Sequence, residues 1–101
     1  MRSRYAAYAS GLVDYIMATT DPQGPHWRHE EEKWRAEILA FCESTRFEGL
    51  RILEAPTPGP EYGSVSFRAG LSRAGQDVSF AEKSSFRLRA GRWYYVDGSP
   101  V

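Results

Sequence analysis

The pattern of hydrophobic and polar positions divides the chain near Thr45, with helical spacing before it and strand-like alternation after it. In the first part, apolar residues recur three and four positions apart, as they do on one face of an amphipathic helix. We predict two short helices there, with Ser3 as the capping residue of the first and Gly11 at the break between them. The residues that set this spacing are Tyr5, Tyr8, Leu12, Tyr15 and Ile16.

Two prolines and a glycine within residues 19–25 stop the second helix and turn the chain. A longer helix is predicted after them, over residues 29–45. Trp34, Ile38 and Phe41 form one apolar stripe on it, so this helix should supply the main packing surface. The acidic run at residues 30–32 falls in its first turn, where carboxylates interact favourably with the positive end of the helix dipole.

Two-residue alternation after Thr45 predicts four strands. Turn residues separate consecutive strands, which indicates an antiparallel sheet with the helices covering one face. Helices followed by strands define the α+β class, and we expect residues 1–101 to form a single domain. The strands are residues 47–53, residues 63–71, a third in which Val78, Phe80, Phe86 and Leu88 share one face, and residues 92–96.

Composition and charge exclude several classes of protein. The 101 residues, 42% hydrophobic and 26% charged, suffice for one small core. The 13 basic and 13 acidic residues cancel, so the chain lacks the summed basic charge on which general nucleic-acid and anionic-membrane binders depend. No window approaches the roughly 20 apolar residues of a membrane span, and the first residues show no apolar signal-peptide core. We therefore expect a cytoplasmic protein without membrane contact.

The most informative position is Glu82, in the third predicted strand. Counting by twos from Phe86 places Ser84 and Glu82 on the same side of the strand as the apolar residues. A buried carboxylate must be paired or hydrogen-bonded, or it keeps a raised pKa and acts as an acid or base. Arg4 and the tyrosines of the first helix are the candidate partners. Alternatively, Glu82 only fixes the docking of that helix, or a bulge shifts the register and exposes it.

Other chemistry-bearing residues give weaker signals. His26 and His29 lie three apart, but Pro25 disfavours a helical turn at His26 and no third ligand follows at a fixed spacing, so no metal is expected. Cys42 fits a small buried core residue better than a reactive thiol. The sequence has no phosphate-binding glycine loop, nucleophile elbow or dinucleotide fingerprint, and no cofactor is expected.

A predicted hairpin over residues 86–95 interleaves arginine with aromatic residues. This pattern suits single-stranded nucleic acid, because bases stack on aromatic rings while arginines contact phosphates. Half-buried strands of small antiparallel sheets show the same alternation, so nucleic acid is a weak alternative partner.

Blocks of sequence along nearly the whole chain are similar to one bacterial family. The first block, with Arg-Ser-Arg-Tyr, and the last, with Gly-Arg-Trp-Tyr-Tyr-Val, are the most specific. On these blocks the chain resembles the YchJ-like proteins. The resemblance implies a nuclear transport factor 2-like (NTF2-like) fold, in which a curved antiparallel sheet wraps around helices to form a cone with a pocket. The blocks are residues 1–8, 13–15, 18–22, 34–42, 80–86 and 91–98.

The resemblance does not bring a metal site with it. Family members place a cysteine-rich zinc-binding segment ahead of the Arg-Ser-Arg-Tyr run, whereas this sequence starts at that run and contains Cys42 as its one cysteine. Zinc binding is therefore not expected of these residues. The family implies no activity, and NTF2-like folds serve isomerases and dehydratases as well as non-catalytic binding domains.

The leading hypothesis is a binding or scaffold domain whose pocket between helices and sheet accepts a small molecule or a peptide. In the enzyme alternative, Glu82 is the general acid or base of an isomerase or dehydratase-like reaction, and Tyr8 or Tyr5 donates a hydrogen bond to a developing oxyanion. Homodimerisation through the exposed sheet face is a further expectation. The residues expected to line or support the pocket are Arg4, Tyr8, Trp34, Glu82, Ser84 and Trp93.

Overall fold

Three helices precede five strands in the computed structural model, which describes residues 2–101. The α+β class and the order of elements agree with the sequence pattern. The elements in chain order are α1 (Arg2–Ala9), α2 (Val13–Ala18), α3 (Glu31–Ser44), β1 (Arg46–Glu54), β2 (Tyr62–Arg73), β3 (Gln76–Asp77), β4 (Phe80–Arg89) and β5 (Arg92–Pro100).

The four long strands form one antiparallel sheet in the order β1-β2-β4-β5. The two-residue strand β3 pairs with the end of β2 beyond a tight turn, and the alternation pattern did not predict it. Register shifts interrupt the pairing of β1 with β2 and the pairing of β4 with β5 between Ser85 and Phe86. The pairing of β2 with β4 runs without a shift, so side chains along β4 keep their alternation between the two faces.

The break between the first two helices falls at Gly11, as predicted. Gly11 has a φ of +68°, a conformation that glycine adopts without steric cost. The prediction that Ser3 caps α1 is wrong, because α1 begins at Arg2 and Ser3 lies within its first turn. The Ser3 side chain instead accepts a hydrogen bond of 2.8 Å from the Tyr15 hydroxyl, which ties α1 to α2.

Helix α3 is slightly shorter than predicted and begins at Glu31. Its residues Trp34 and Ile38 are buried, as the apolar stripe requires. They join a helical core with α1 and α2, while a second core lies on the sheet around Phe67. Phe41 packs edge-on against both Tyr8 and Phe47, so the two cores meet there.

The segment after α2 fastens the helices to the edge of the sheet. Thr20 forms a parallel bridge with Tyr95 of β5, and the backbone of Asp21 donates to the Tyr95 carbonyl at 2.8 Å. The carboxylate of Asp21 is buried and lies 3.4 Å from the guanidinium of Arg89. Within residues 2–101, none of the helices has the length and apolar content that crossing a membrane requires.

Candidate functional site

Strand β4 directs Glu82 and Ser84 to the face of the sheet that the helices cover. Ser84 is 0% exposed, and Phe86, two residues further on, is also buried. Glu82 is opposite Phe67 of β2, a fully buried core residue, and is itself partly buried. The intervening residues Lys83 and Ser85 are exposed, so the alternation places both polar groups inward as the phenylalanine spacing predicted.

The carboxylate of Glu82 is held through one of its two oxygens. Oε2 accepts a hydrogen bond of 2.8 Å from the Ser84 hydroxyl and one of 3.4 Å from the Tyr95 hydroxyl. No hydrogen bond from the described residues reaches Oε1. The carboxylate packs directly over Gly98 of β5, which has no Cβ to displace it. Glu82 is therefore oriented while one acceptor oxygen stays available.

Tyr95 is a residue of this site that the sequence analysis missed. Counting by twos from Trp93 along the same strand places Tyr95 on the inner face, so the signal was present. Burial raises the pKa of the Tyr95 hydroxyl, and the neighbouring Glu82 carboxylate raises it further. The hydroxyl therefore stays protonated and able to donate at neutral pH.

Tyr8 lies near this cluster but makes no hydrogen bond to Glu82. Burial raises the pKa of its hydroxyl, and the positive charge of Arg4 opposes that rise. The hydroxyl that donates to Glu82 belongs to Tyr95 instead. Catalysis by Glu82 with Tyr8 stays a prediction.

Arg4 is a buried cation that has no anionic partner among the described residues. It is 6% exposed and absent from every ion pair of residues 2–101. Its Nη1 donates to the Ile16 carbonyl at 3.2 Å and to the hydroxyls of Thr19 and Thr20 at 2.6 and 3.5 Å.

The guanidinium also lies 4.7 Å from the centre of the Tyr95 ring, a cation–π contact that links α1 to β5. Burial lowers the pKa of Arg4, and nearby tyrosines offset part of that effect. Arg4 therefore contacts the ring of Tyr95 and Glu82 contacts its hydroxyl, and the two charged residues form no ion pair with each other.

A cavity of about 400 Å³ lies between the helices and the sheet at this cluster, and we call it the inner cavity. Of the residues predicted to bind a ligand, it brings together Arg4, Tyr8, Trp34 and Glu82. Ser84 is not part of the wall and acts on it through its bond to Glu82. The remainder of the wall is mainly apolar and aromatic, and includes Phe41, Phe67, Phe80 and Leu71.

Trp93 lies outside the inner cavity. It lines a separate cleft of about 730 Å³, which we call the outer cleft, together with the loop between β1 and β2 and the N-terminal helices. Arg4 lines both spaces, so its side chain stands between them. The sequence places Trp93 and Glu82 on one face of the sheet, but it carries no signal that a helix side chain divides that face.

His26 lines the inner cavity and is held there by two residues of the edge strand β5. Its Nε2 lies 2.8 Å from the Asp97 carboxylate, and its ring lies 5.5 Å from that of Tyr95. The backbone N–H of Gly98 and the hydrogen bond to His26 both lower the pKa of Asp97. His29, the other histidine considered for a metal, lines a different surface depression beside Trp27.

The face of the sheet that the helices leave uncovered is the surface predicted to form a homodimer. Its two central strands present Ser66 and Arg68 on β2 and Lys83 and Ser85 on β4. This surface is polar, and dimerisation through it stays a prediction.

Helices on one face of an antiparallel sheet, with a cavity between the two layers, are the arrangement expected of an NTF2-like domain. Residues 1–98 match the family described as "YchJ, middle NTF2-like domain". The chain belongs to this YchJ family.

The curated relatives are named UPF0225 proteins. One from Pectobacterium carotovorum is 39% identical over all of this chain and 64% of its own length. Another, from Yersinia pestis, is 38% identical over 97% of this chain and 62% of its own length. The chain thus spans less than two thirds of the length of these relatives.

Two solved structures share the fold. The solution structure of a SEC-C motif containing protein from Rhodopseudomonas palustris has a TM-score of 0.81 and 38% identity, and the match covers all of this chain and 75% of the other. The crystal structure of a SEC-C motif containing protein from Psychrobacter arcticus has a TM-score of 0.72 at 21% identity, covers all of this chain and 58% of the other, and supports the fold alone.

Proposed function

We propose that this domain is a non-catalytic binding module whose inner cavity takes a small molecule with an apolar body and a hydrogen-bond donor. The observation that carries the proposal is the state of Glu82, whose Oε2 is held by Ser84 and Tyr95 while Oε1 accepts nothing from the described residues. A fixed acceptor at an apolar wall is the usual means by which a pocket orients a ligand.

The size and lining of the inner cavity support the same class of ligand. A volume of about 400 Å³ lies within the range of small-molecule sites, roughly 300–1,000 Å³. Aromatic side chains from both layers, among them Trp34 and Phe67, offer flat apolar contact. Charged groups of both signs line it, with Arg4 and Arg28 against Glu82 and Glu37.

The test uses phenylethylamine and phenylethanol, which share an aromatic body and differ in the charge of the donor. NMR titration should shift the indole N–H signal of Trp34, which lines the inner cavity, and leave that of Trp93 in place. Glu82→Gln should weaken binding of the amine about tenfold, because a charge-assisted hydrogen bond is lost, and should weaken binding of the alcohol less.

The matched control is Ser85→Ala, an exposed residue of the same strand that faces away from the cavity. It should leave both affinities unchanged. The proposal is wrong if neither probe moves the Trp34 signal, or if Glu82→Gln binds the amine as tightly as the parent protein does.

A further inference from the structure

The outer cleft is lined by the indole of Trp93, which packs against β2. The six-membered ring of Trp93, on β5, lies beside Gly63 of β2, where a Cβ would stand 3.6 Å from its carbons Cη2 and Cζ3. Pro58 borders the same position, at 3.2 Å from that Cβ site. Trp93 is nevertheless 39% exposed, so part of its indole remains accessible from the cleft.

The charge of the outer cleft is of one sign. Arg4 and Arg92 line it, and none of its lining residues is Asp or Glu. Arg4 brings an uncompensated charge, because its hydrogen-bond partners among the described residues are a carbonyl and two hydroxyls. Keeping a cation this deeply buried without an anion costs free energy, which an anionic ligand would offset.

We propose that the outer cleft binds a planar aromatic anion, whose ring stacks on Trp93 and whose carboxylate or phosphate contacts both Arg4 and Arg92. The indole and the arginines of this cleft favour different groups, and one ligand would have to carry both. The indole supplies a stacking surface, and the arginines supply the donors that carboxylates and phosphates prefer. Aryl carboxylates and nucleoside phosphates share this chemistry.

This site is separate from the inner cavity. The inner cavity has an acceptor on Glu82, and charged residues of both signs line it. The charged residues that line the outer cleft are arginines only. Arg4 is the residue the two spaces share, so a variant of Arg4 cannot tell them apart. Arg92 and Trp93 belong to the outer cleft alone and are the positions to test.

The experiment titrates the intact chain with naphthoate and with adenosine monophosphate, and uses naphthylmethanol and adenosine as neutral counterparts. The indole N–H signal of Trp93 should shift with at least one anion, at concentrations where its neutral counterpart produces no shift. A response to naphthoate alone assigns an aryl carboxylate, and a response to the nucleotide alone assigns a nucleoside phosphate. A response to both supports the shared chemistry.

The variants separate stacking from charge. Trp93→Leu should weaken binding about tenfold and Trp93→Phe much less, since a base or aryl ring keeps a stacking partner in the second variant. Arg92→Gln should weaken binding and reduce its dependence on salt, whereas Arg51→Gln, an exposed arginine on the opposite face of the sheet, should do neither.

The proposal is overturned if neither anion moves the Trp93 signal, if the neutral counterparts bind equally well, or if Arg92→Gln and Arg51→Gln have the same effect. The Trp34 signal reports the inner cavity in the same spectra. Failure of this inference is thereby distinguished from failure of the function proposed for Glu82.

Discussion

The carboxylate of Glu82 occupies the space that a Cβ at Gly98 would take. Gly98 is paired with Ser84, the residue whose hydroxyl holds Glu82, so the three groups meet between two neighbouring strands. A Cβ at position 98 would therefore displace the end of another side chain, and the φ of Gly98 is not positive. This relationship makes the orientation of Glu82 testable without changing Glu82 itself.

Gly98→Ala should push the Glu82 carboxylate away from Ser84 and Tyr95. We expect phenylethylamine to bind about tenfold more weakly, as it does to Glu82→Gln. The free energy of unfolding should fall by only about 1 kcal/mol, because the end of a flexible side chain yields more easily than backbone. NMR titration and urea unfolding measure the two effects.

The control for this substitution is Gly49→Ala, since a Cβ at position 49 meets nothing within 4 Å. It should leave binding unchanged. If Gly98→Ala binds the amine with parental affinity, Glu82 does not have to be held in the observed orientation.

Arg4→Ala should lower the free energy of unfolding by about 2–3 kcal/mol, because it removes the charged donor shared by Ile16, Thr19 and Thr20. Arg4→Lys should recover less than half of that loss, since an ammonium cannot reproduce the planar stacking on Tyr95. Urea unfolding monitored by circular dichroism measures both values. Arg2→Ala, an exposed position of the same helix, should change stability little, and an equal loss for Arg2→Ala and Arg4→Ala would contradict this role.

Stability should fall as the pH rises above 10. The pKa of Tyr95 in the folded protein is raised above its ordinary value of 10.0, so the folded state keeps a proton that the unfolded state has already lost. The folded state then binds more protons than the unfolded state, and the free energy of unfolding decreases with pH through that window. Tyr95→Phe should make this decrease shallower. The free energy of unfolding is measured with urea at a series of alkaline pH values, and Tyr62→Phe is the control for an exposed ring. If this free energy falls with pH at the same slope in the parent protein and both variants, Tyr95 does not cause the decrease.

The exposed pair of His26 and Asp97 should contribute to stability in a way that is lost at acidic pH. The pKa of Asp97 lies below its ordinary value of 3.8, first because of the Gly98 N–H and then because of His26. The stabilisation is therefore present above pH 3.8 and is lost as the pH falls through the folded-state pKa. In His26→Gln the pKa of Asp97 should rise but remain below 3.8, because the backbone hydrogen bond is kept. Titration of the Asp97 carboxyl carbon by NMR measures this, and an unchanged pKa in His26→Gln would show that His26 has no part in it.

The inward placement of Glu82 could be predicted because it depends on one local rule. Side chains alternate along a strand, and the pairing of β4 with β2 has no register shift between Phe80 and Phe86. The shift in this region lies instead in the pairing with β5, opposite Phe86. A bulge on β4 would have reversed the parity, and the sequence has no signal that excludes one.

The partners of these residues could not be predicted, because they come from distant parts of the chain. Arg4 bonds to groups 12 to 16 residues away, at the end of α2. Asp21 meets Arg89 across 68 residues. Such contacts depend on how the helical layer sits on the sheet, which periodicity does not specify. For the same reason the sequence predicts one pocket for Trp93 and Glu82, because only the packing of α1 places Arg4 between the two spaces that they line.

The central claim, that the inner cavity is a ligand site, is tested most directly by nuclear Overhauser contacts in the phenylethylamine complex. The ring protons of the amine should show contacts to Trp34, Phe67 and Phe80, and its methylene group should lie near Glu82. Contacts to exposed surface residues only, or shifts of the Trp34 signal without any contact to Phe67, would contradict it.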